Sequence, residues 1–301
     1  MNEAIVIENV TKRFGDVVAV NDLSLRVPKG CIYGFLGPNG AGKTTTIRMI
    51  MSIFYPDEGT ITVLGNPDAE RIKDRLGYLP EEKGLYKKMK LGEIVAYFGR
   101  LKGMDKQTSK SRAENLLKQY NLGEWIDKKC EALSKGMSQK VQILGTIVHD
   151  PELVILDEPF SGLDPVNVEI MREVILQMKR EGRTVIFSTH IMEQAEQICD
   201  FIFLINKGVK VLDGTLAQVK AGHQRGILLD YDGDLAFLKS NHGIQRINDS
   251  GKQAEIFLNE GVDPQQILAR LVNNVVIRRF DLREPSLHEI FIRAVGGISD
   301  E

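Results

Sequence analysis

The run GPNGAGKTT, Gly37–Pro38–Asn39–Gly40–Ala41–Gly42–Lys43–Thr44–Thr45, carries the spacing GxxxxGK[ST] of a loop that grips phosphate. Its glycines let the chain turn tightly enough for backbone N–H groups to reach anionic oxygens. Lys43 is placed for the outer phosphates of a nucleotide, and the Thr44 hydroxyl for a magnesium ion. A second chemical centre is the carboxylate pair of LVILDEP, Asp157 and Glu158. An acid at the end of such a strand holds the magnesium shell in phosphate-loop proteins, which is the role expected of Asp157. Glu158 is then the general base for an attacking water, a role worth roughly 10²- to 10⁴-fold in rate. A lone DE pair is more often a solvated turn; beside a phosphate loop it reads as chemistry.

Those groups converge only if short parallel strands bring them to one edge. CIYGFL (31–36), LVILD (153–157), TVIFS (184–188) and DFIFLI (200–205) are short apolar runs rich in β-branched and aromatic residues. They alternate with helical periodicity, the pattern of an α/β fold with a mainly parallel sheet buried on both faces. The phosphate loop falls between CIYGFL and a predicted helix KTTTIRMIMSI, so the positive helix end faces the anion. The polar stretch KAGHQRG (220–226) reads as a linker, dividing a domain over 1–221 from a smaller one over 226–301. The smaller domain reads as strand, helix DLAFLKS, strand, strand, helix, strand and a final helix. That is the βαββαβ order of an α+β, ferredoxin-like unit with an added helix.

Composition narrows the partners. At 301 residues and 43% hydrophobic content the chain can build one large domain and one small one. A formal net charge of -2 gives no basic footprint for nucleic acid. Cys31, Cys130 and Cys199 are far apart in sequence and form no CxxC pair, so they read as packing residues in a reducing compartment. No apolar run reaches the length that spans a bilayer, so no direct membrane insertion is expected.

With the phosphate loop and the DE pair in place, three further stretches in order resemble the ABC-type nucleotide-binding domain: LSKGMSQK (133–140), FSGLDP (160–165) and STH (188–190). The resemblance runs over residues 3 to about 220 and implies an ABC-type P-loop NTPase fold with a helical subdomain over about 87–150. It implies bound ATP and Mg2+, with His190 on the γ-phosphate and Asp164 communicating across a dimer interface. Phe14 stands where the family stacks an aromatic on adenine. In LSKGMSQK the family's second and fourth signature positions, Ser134 and Gly136, are kept, while Lys135 and Met137 replace a glycine and a glutamine. The resemblance places Ser134, the nearby amides and the following helix over ATP held by a second copy, and the signature reads as altered and competent. Glu81, in LGYLPEEKGLY, stands where the family has a glutamine that ligates the metal; a carboxylate can ligate it as well, with Lys83 or the metal offsetting its charge.

YLPEEKGLY and the appended domain look most like the subgroup paired with ABC-2-type permeases, including sodium- and drug-efflux systems. That implies an ATP-hydrolysing exporter subunit, cytoplasmic and held at the inner face of the cell membrane by an integral permease. Two other readings stand beside it: an ATPase serving a non-membrane machine such as the ribosome, and a non-hydrolysing regulatory module. Glu158 and His190 argue against the second. The solvated strand VVIRRFDLRE gives the C-terminal domain a structural rather than a chemical reading.

Overall fold

The computed structural model describes residues 2–82, 84–221, 226–238, 241–259 and 261–296. The chain divides into two compact units, Met1–Leu216 and Ala217–Glu301. Lys83, the linker residues 222–225, and Lys239 and Ser240 at the end of the predicted DLAFLKS helix lie outside the described residues.

The first unit opens with β1 (Glu3–Phe14), β2 (Val17–Pro28) and β3 (Ile32–Leu36), followed by α1 (Lys43–Ile50), β4 (Glu58–Val63) and β5 (Leu76–Leu79). A helical stretch follows: α2 (Leu91–Leu101), α3 (Lys106–Gln119) and α4 (Lys135–Ile147). Then come β6 (Leu153–Asp157), α5 (Pro165–Arg180), β7 (Thr184–Thr189), α6 (Met192–Ile198), β8 (Phe201–Asn206) and β9 (Val209–Thr215). The short α7 (Leu216–Ala221) begins where the units divide.

β5, β6, β7, β3, β8 and β9 form a six-stranded sheet in that order, parallel except for the antiparallel β8–β9 pair. Its central strands β3, β6 and β7 are buried along their whole length, as their unbroken apolar runs predict. A separate antiparallel sheet, β2-β1-β4, covers it, which the parallel pattern read across residues 3–220 did not anticipate. Ile5 and Ile7 of β1, Tyr33 and Phe35 of β3, Ile47 of α1 and Phe203 of β8 share one core cluster. Each such fully buried side chain contributes about 1.5–3 kcal/mol.

Two predicted helices differ in extent from their runs, and a third takes in part of LSKGMSQK. α1 stops at Ile50 rather than Ile53, because Ser52 turns into the left-handed region at φ 55. α4 starts at Lys135, inside the LSKGMSQK run, because Ser134 caps it. In the second unit the described part of DLAFLKS forms a 3-10 turn, Ala236–Leu238.

The second unit follows as β10 (Gly226–Asp232), β11 (Ile244–Asp249), β12 (Gln253–Leu258), α8 (Pro264–Val272), β13 (Val276–Arg283) and α9 (Leu287–Gly296). Its sheet order β11-β12-β10-β13 is antiparallel throughout, the order of a split βαβ unit. Ile227, Leu229 and Tyr231 alternate inward from β10 onto Ile256, Ile267 and Leu271. β13 is an edge strand, and its pattern of exposed charge is that of a solvated edge.

Candidate nucleotide site

β3, β6 and β7 are parallel neighbours, so their carboxyl ends bring three sequence-distant loops to one edge of the sheet. β3 delivers the phosphate loop, β6 delivers Asp157 and Glu158, and β7 delivers Ser188 and, just beyond, His190. Two glycines fix the loop's path. Gly37 and Gly42 have φ of 153° and 107°, and a Cβ on either would overlap a backbone carbonyl, Ile205 O or Ala19 O. Gly42 is the N-cap of α1, so the helix begins at Lys43 with its N–H groups facing the loop. Ala41 is buried and donates its N–H to Pro38 O at 3.2 Å, while Pro38, Asn39 and Gly40 are exposed; Thr45 is half-buried.

Lys43 is 6% exposed; its Nζ donates to the carbonyls of Gly37 (2.7 Å) and Pro38 (3.2 Å) and lies 3.8 Å from Glu158 Oε1. Burial pushes its pKa down, against the opposing pull of Glu158, Asp157 and Glu81. Asp157 is fully buried. Its Oδ1 accepts from Ser188 Oγ and lies 3.4 Å from Thr44 Oγ1. Its Oδ2 is buried with no hydrogen-bond partner among the described residues. An orphaned carboxylate oxygen beside a hydroxyl is the hard-oxygen pair that a magnesium ion takes, with phosphate oxygens and water completing its shell. No group of three or more His, Cys, Asp or Glu side chains that could hold a metal occurs among the described residues.

Glu158 sits at φ 50, a conformation costing a non-glycine residue about 1–3 kcal/mol, and such strain gathers at functional sites. Its N–H donates to Ser188 Oγ at 2.9 Å, and its Oε1 lies 3.1 Å from His190 Nδ1. An Nδ1–H donated to Glu158 Oε1 leaves Nε2 of the neutral ring as an acceptor. Sequence reasoning passed over Ser188, which ties both carboxylate residues together. Its only signal was its place two residues before His190.

The other expected residues form a second group. Ser134 Oγ accepts from Met137 N–H at 3.2 Å as the N-cap of α4, leaving its own O–H free to donate. The Met137 amide is therefore engaged within the helix cap. Gly136 is buried, and a Cβ there would overlap the Asn167 side chain. Asp164 caps α5 by accepting from Asn167 N–H (3.0 Å) and Asn167 Nδ2 (2.6 Å), bonds that hold its carboxyl below the usual range. Lys135 is exposed, with its Nζ beside Gly162. Ser134, Lys135, Ser161 and the exposed Glu81 line one open cavity of about 810 Å³. No hydrogen bond joins Ser134 or Gly136 to the phosphate loop among the described residues. Phe14 is 45% exposed, not core; it meets Phe54 edge-on at 5.4 Å, and Lys12 Nζ stands 5.5 Å from its ring.

Comparison with known proteins agrees with this geometry. The family described as ABC transporter matches residues 20–161, and that described as ATP-binding protein DrrA1-3-like, C-terminal domain, matches 214–295. The chain is 43% identical to the uncharacterized ABC transporter ATP-binding protein YhaQ of Bacillus subtilis (strain 168), covering 98% of this chain and 99% of the relative. It is 34% identical to Nod factor export ATP-binding protein I of Burkholderia lata, over 96% of this chain and 95% of the relative. A solved ATP-binding subunit of an ABC transporter superposes with a TM-score of 0.65 at 29% identity, covering 73% of this chain and 92% of that one. Family profile, near full-length relatives and fold coincide: the chain belongs to the ATP-binding proteins of ABC transporters.

Proposed function

We propose that this chain binds ATP with Mg2+ and hydrolyses it to drive a separate membrane permease that exports its cargo. The observation that carries the reading is the cluster of Lys43, Asp157, Glu158, Ser188 and His190 at the mouth of the phosphate loop. Magnesium held by Thr44 and Asp157 would supply charge neutralisation at the phosphates. Lys43 exchanges the carbonyls of Gly37 and Pro38 for phosphate oxygens. The Glu158 carboxylate accepts a proton from water as that water's oxygen bonds to the γ-phosphorus and ADP departs. His190 and Ser188 hold Glu158 at that point. The amides of 37–45 position the phosphates, Phe14 stacks on adenine, and Glu81 serves as a further metal ligand.

Ser134 and Gly136 serve the nucleotide of a second copy, giving a dimer on ATP binding, with Asp164 at its interface. The chain works at the inner face of the cell membrane through the permease, with a catalytic domain over 1–221 and an accessory domain over 226–301. Export is supported by the relative whose name includes Nod factor export. No helix among the described residues is long and apolar enough to cross a membrane. A cavity of about 240 Å³ lined by Tyr78, Phe98, Leu101 and His149 fits the permease-facing role of YLPEEKGLY and α2.

The test is Glu158→Gln with saturating ATP and magnesium. It should form dimers by light scattering while hydrolysis falls roughly 10²- to 10⁴-fold, and Ser134→Arg added to it should return monomers. Monomers in the single variant would count against the cross-chain site; unchanged hydrolysis would count against Glu158 as base.

A further inference from the structure

The signature helix α4 and the loop that carries Glu158 belong to different parts of the sequence, yet they are clamped together inside one chain. Gln139, on the first turns of α4 and 6% exposed, donates from Nε2 to the carbonyl of Pro159 at 2.8 Å. Pro159 directly follows Glu158, and the turn is closed by Ser161 N–H donating to Glu158 O at 3.2 Å. Phe160 pins it to the core, 4% exposed and edge-on to Phe187 at 5.6 Å. A second clamp lies at Gly136, whose missing side chain lets the Asn167 amide close against it while Asn167 also holds Asp164. A buried amide donor on a backbone carbonyl resists separation, since parting them strands both groups.

We propose that Gln139 and Asn167 form a relay between two nucleotide sites. Gripping of a second copy's ATP by Ser134 positions α4, and Gln139 passes that position to the Pro159 carbonyl and so to the carboxylate of Glu158 over the chain's own ATP. The relay rests on the cross-chain role of Ser134 proposed above. Gln139 and Asn167 are positioning residues; neither touches substrate. The physical basis is stiffness: the buried Gln139–Pro159 bond ties α4 to the turn at 158–161, and the Asn167 side chain of α5 closes directly on Gly136, so a shift at one end is carried to the other rather than absorbed.

The experiment uses the full chain. Gln139→Met keeps the volume and removes the donor; Asn167→Ala removes the other clamp independently. In the Glu158→Gln background, Gln139→Met should still form ATP-driven dimers, with half-saturation by ATP within about twofold of the parent. With Glu158 restored, each variant should lower kcat roughly tenfold with KM nearly unchanged, and lower the Hill coefficient for ATP toward 1. Native kcat and cooperativity in both variants would overturn the relay, as would a native chain that shows no cooperativity. Loss of dimers in the Gln139→Met, Glu158→Gln protein would also overturn it, by showing that the bond only holds the signature in shape. Monomeric Glu158→Gln alone would remove the cross-chain site, and the relay with it.

Discussion

At the residue scale the site is an exercise in satisfying buried charge. Asp157 is fully buried, and Ser188 is the neighbour that both donates to its Oδ1 and accepts the N–H of the strained Glu158. Ser188→Ala therefore strands the buried Glu158 N–H, costing about 1–3 kcal/mol, and leaves Asp157 Oδ1 with only the 3.4 Å bond from Thr44. We expect kcat to fall at least tenfold and the magnesium concentration for half-maximal hydrolysis to rise; steady-state assays across a magnesium titration check both. An unaltered titration would mean that Thr44 alone keeps the metal position.

At the element scale, packing of the helical stretch depends on close approach. α2 and α4 meet where Gly145 lies under Phe98, and a Cβ on Gly145 would overlap the ring. Gly145→Ala gains up to about 1 kcal/mol in helix propensity, but overpacking costs about 1–3 kcal/mol, so the crossing term wins. Denaturant unfolding should show net destabilisation, and Phe98→Leu added to it should recover part of the loss. α3 shows the opposite, local kind of determinant: Asp105 accepts from the N–H groups of Gln107 and Thr108, both at 2.9 Å, which fixes where the helix begins.

At the scale of the whole molecule, stability should depend on pH through His149. Burial pulls its pKa from 6.5 to about 4, opposed by its bond to Leu76 O at 3.0 Å; Lys102 adds to the depression. A histidine whose pKa is depressed on folding binds more protons unfolded than folded between those values. Its contribution is present in full above pH 6.5 and is lost as the pH falls toward 4. The stability gap between the native chain and His149→Gln should thus be larger at pH 7 than at pH 5 in urea unfolding. An equal gap at both would show that the ring stays exposed enough to titrate as in the unfolded chain.

Local signals made much of this protein legible in one dimension. The phosphate loop, the DE pair and the Ser134–Gly136 run are contiguous, because amide cradles, strand-end carboxylates and helix caps are built from neighbouring residues. The buried parallel strands and the four strands of the second unit are legible for the same reason, since period and turn chemistry repeat along the chain. Tertiary structure alone decided the rest. That Ser188 bridges Asp157 and Glu158, that Gln139 reaches Pro159 and that Asn167 fills the space beside Gly136 are pairings between distant segments. The β2-β1-β4 sheet likewise depends on β4 returning to pair with β1. Such contacts leave no periodic mark, because what selects them is the packing of a closed core rather than the preference of any one stretch.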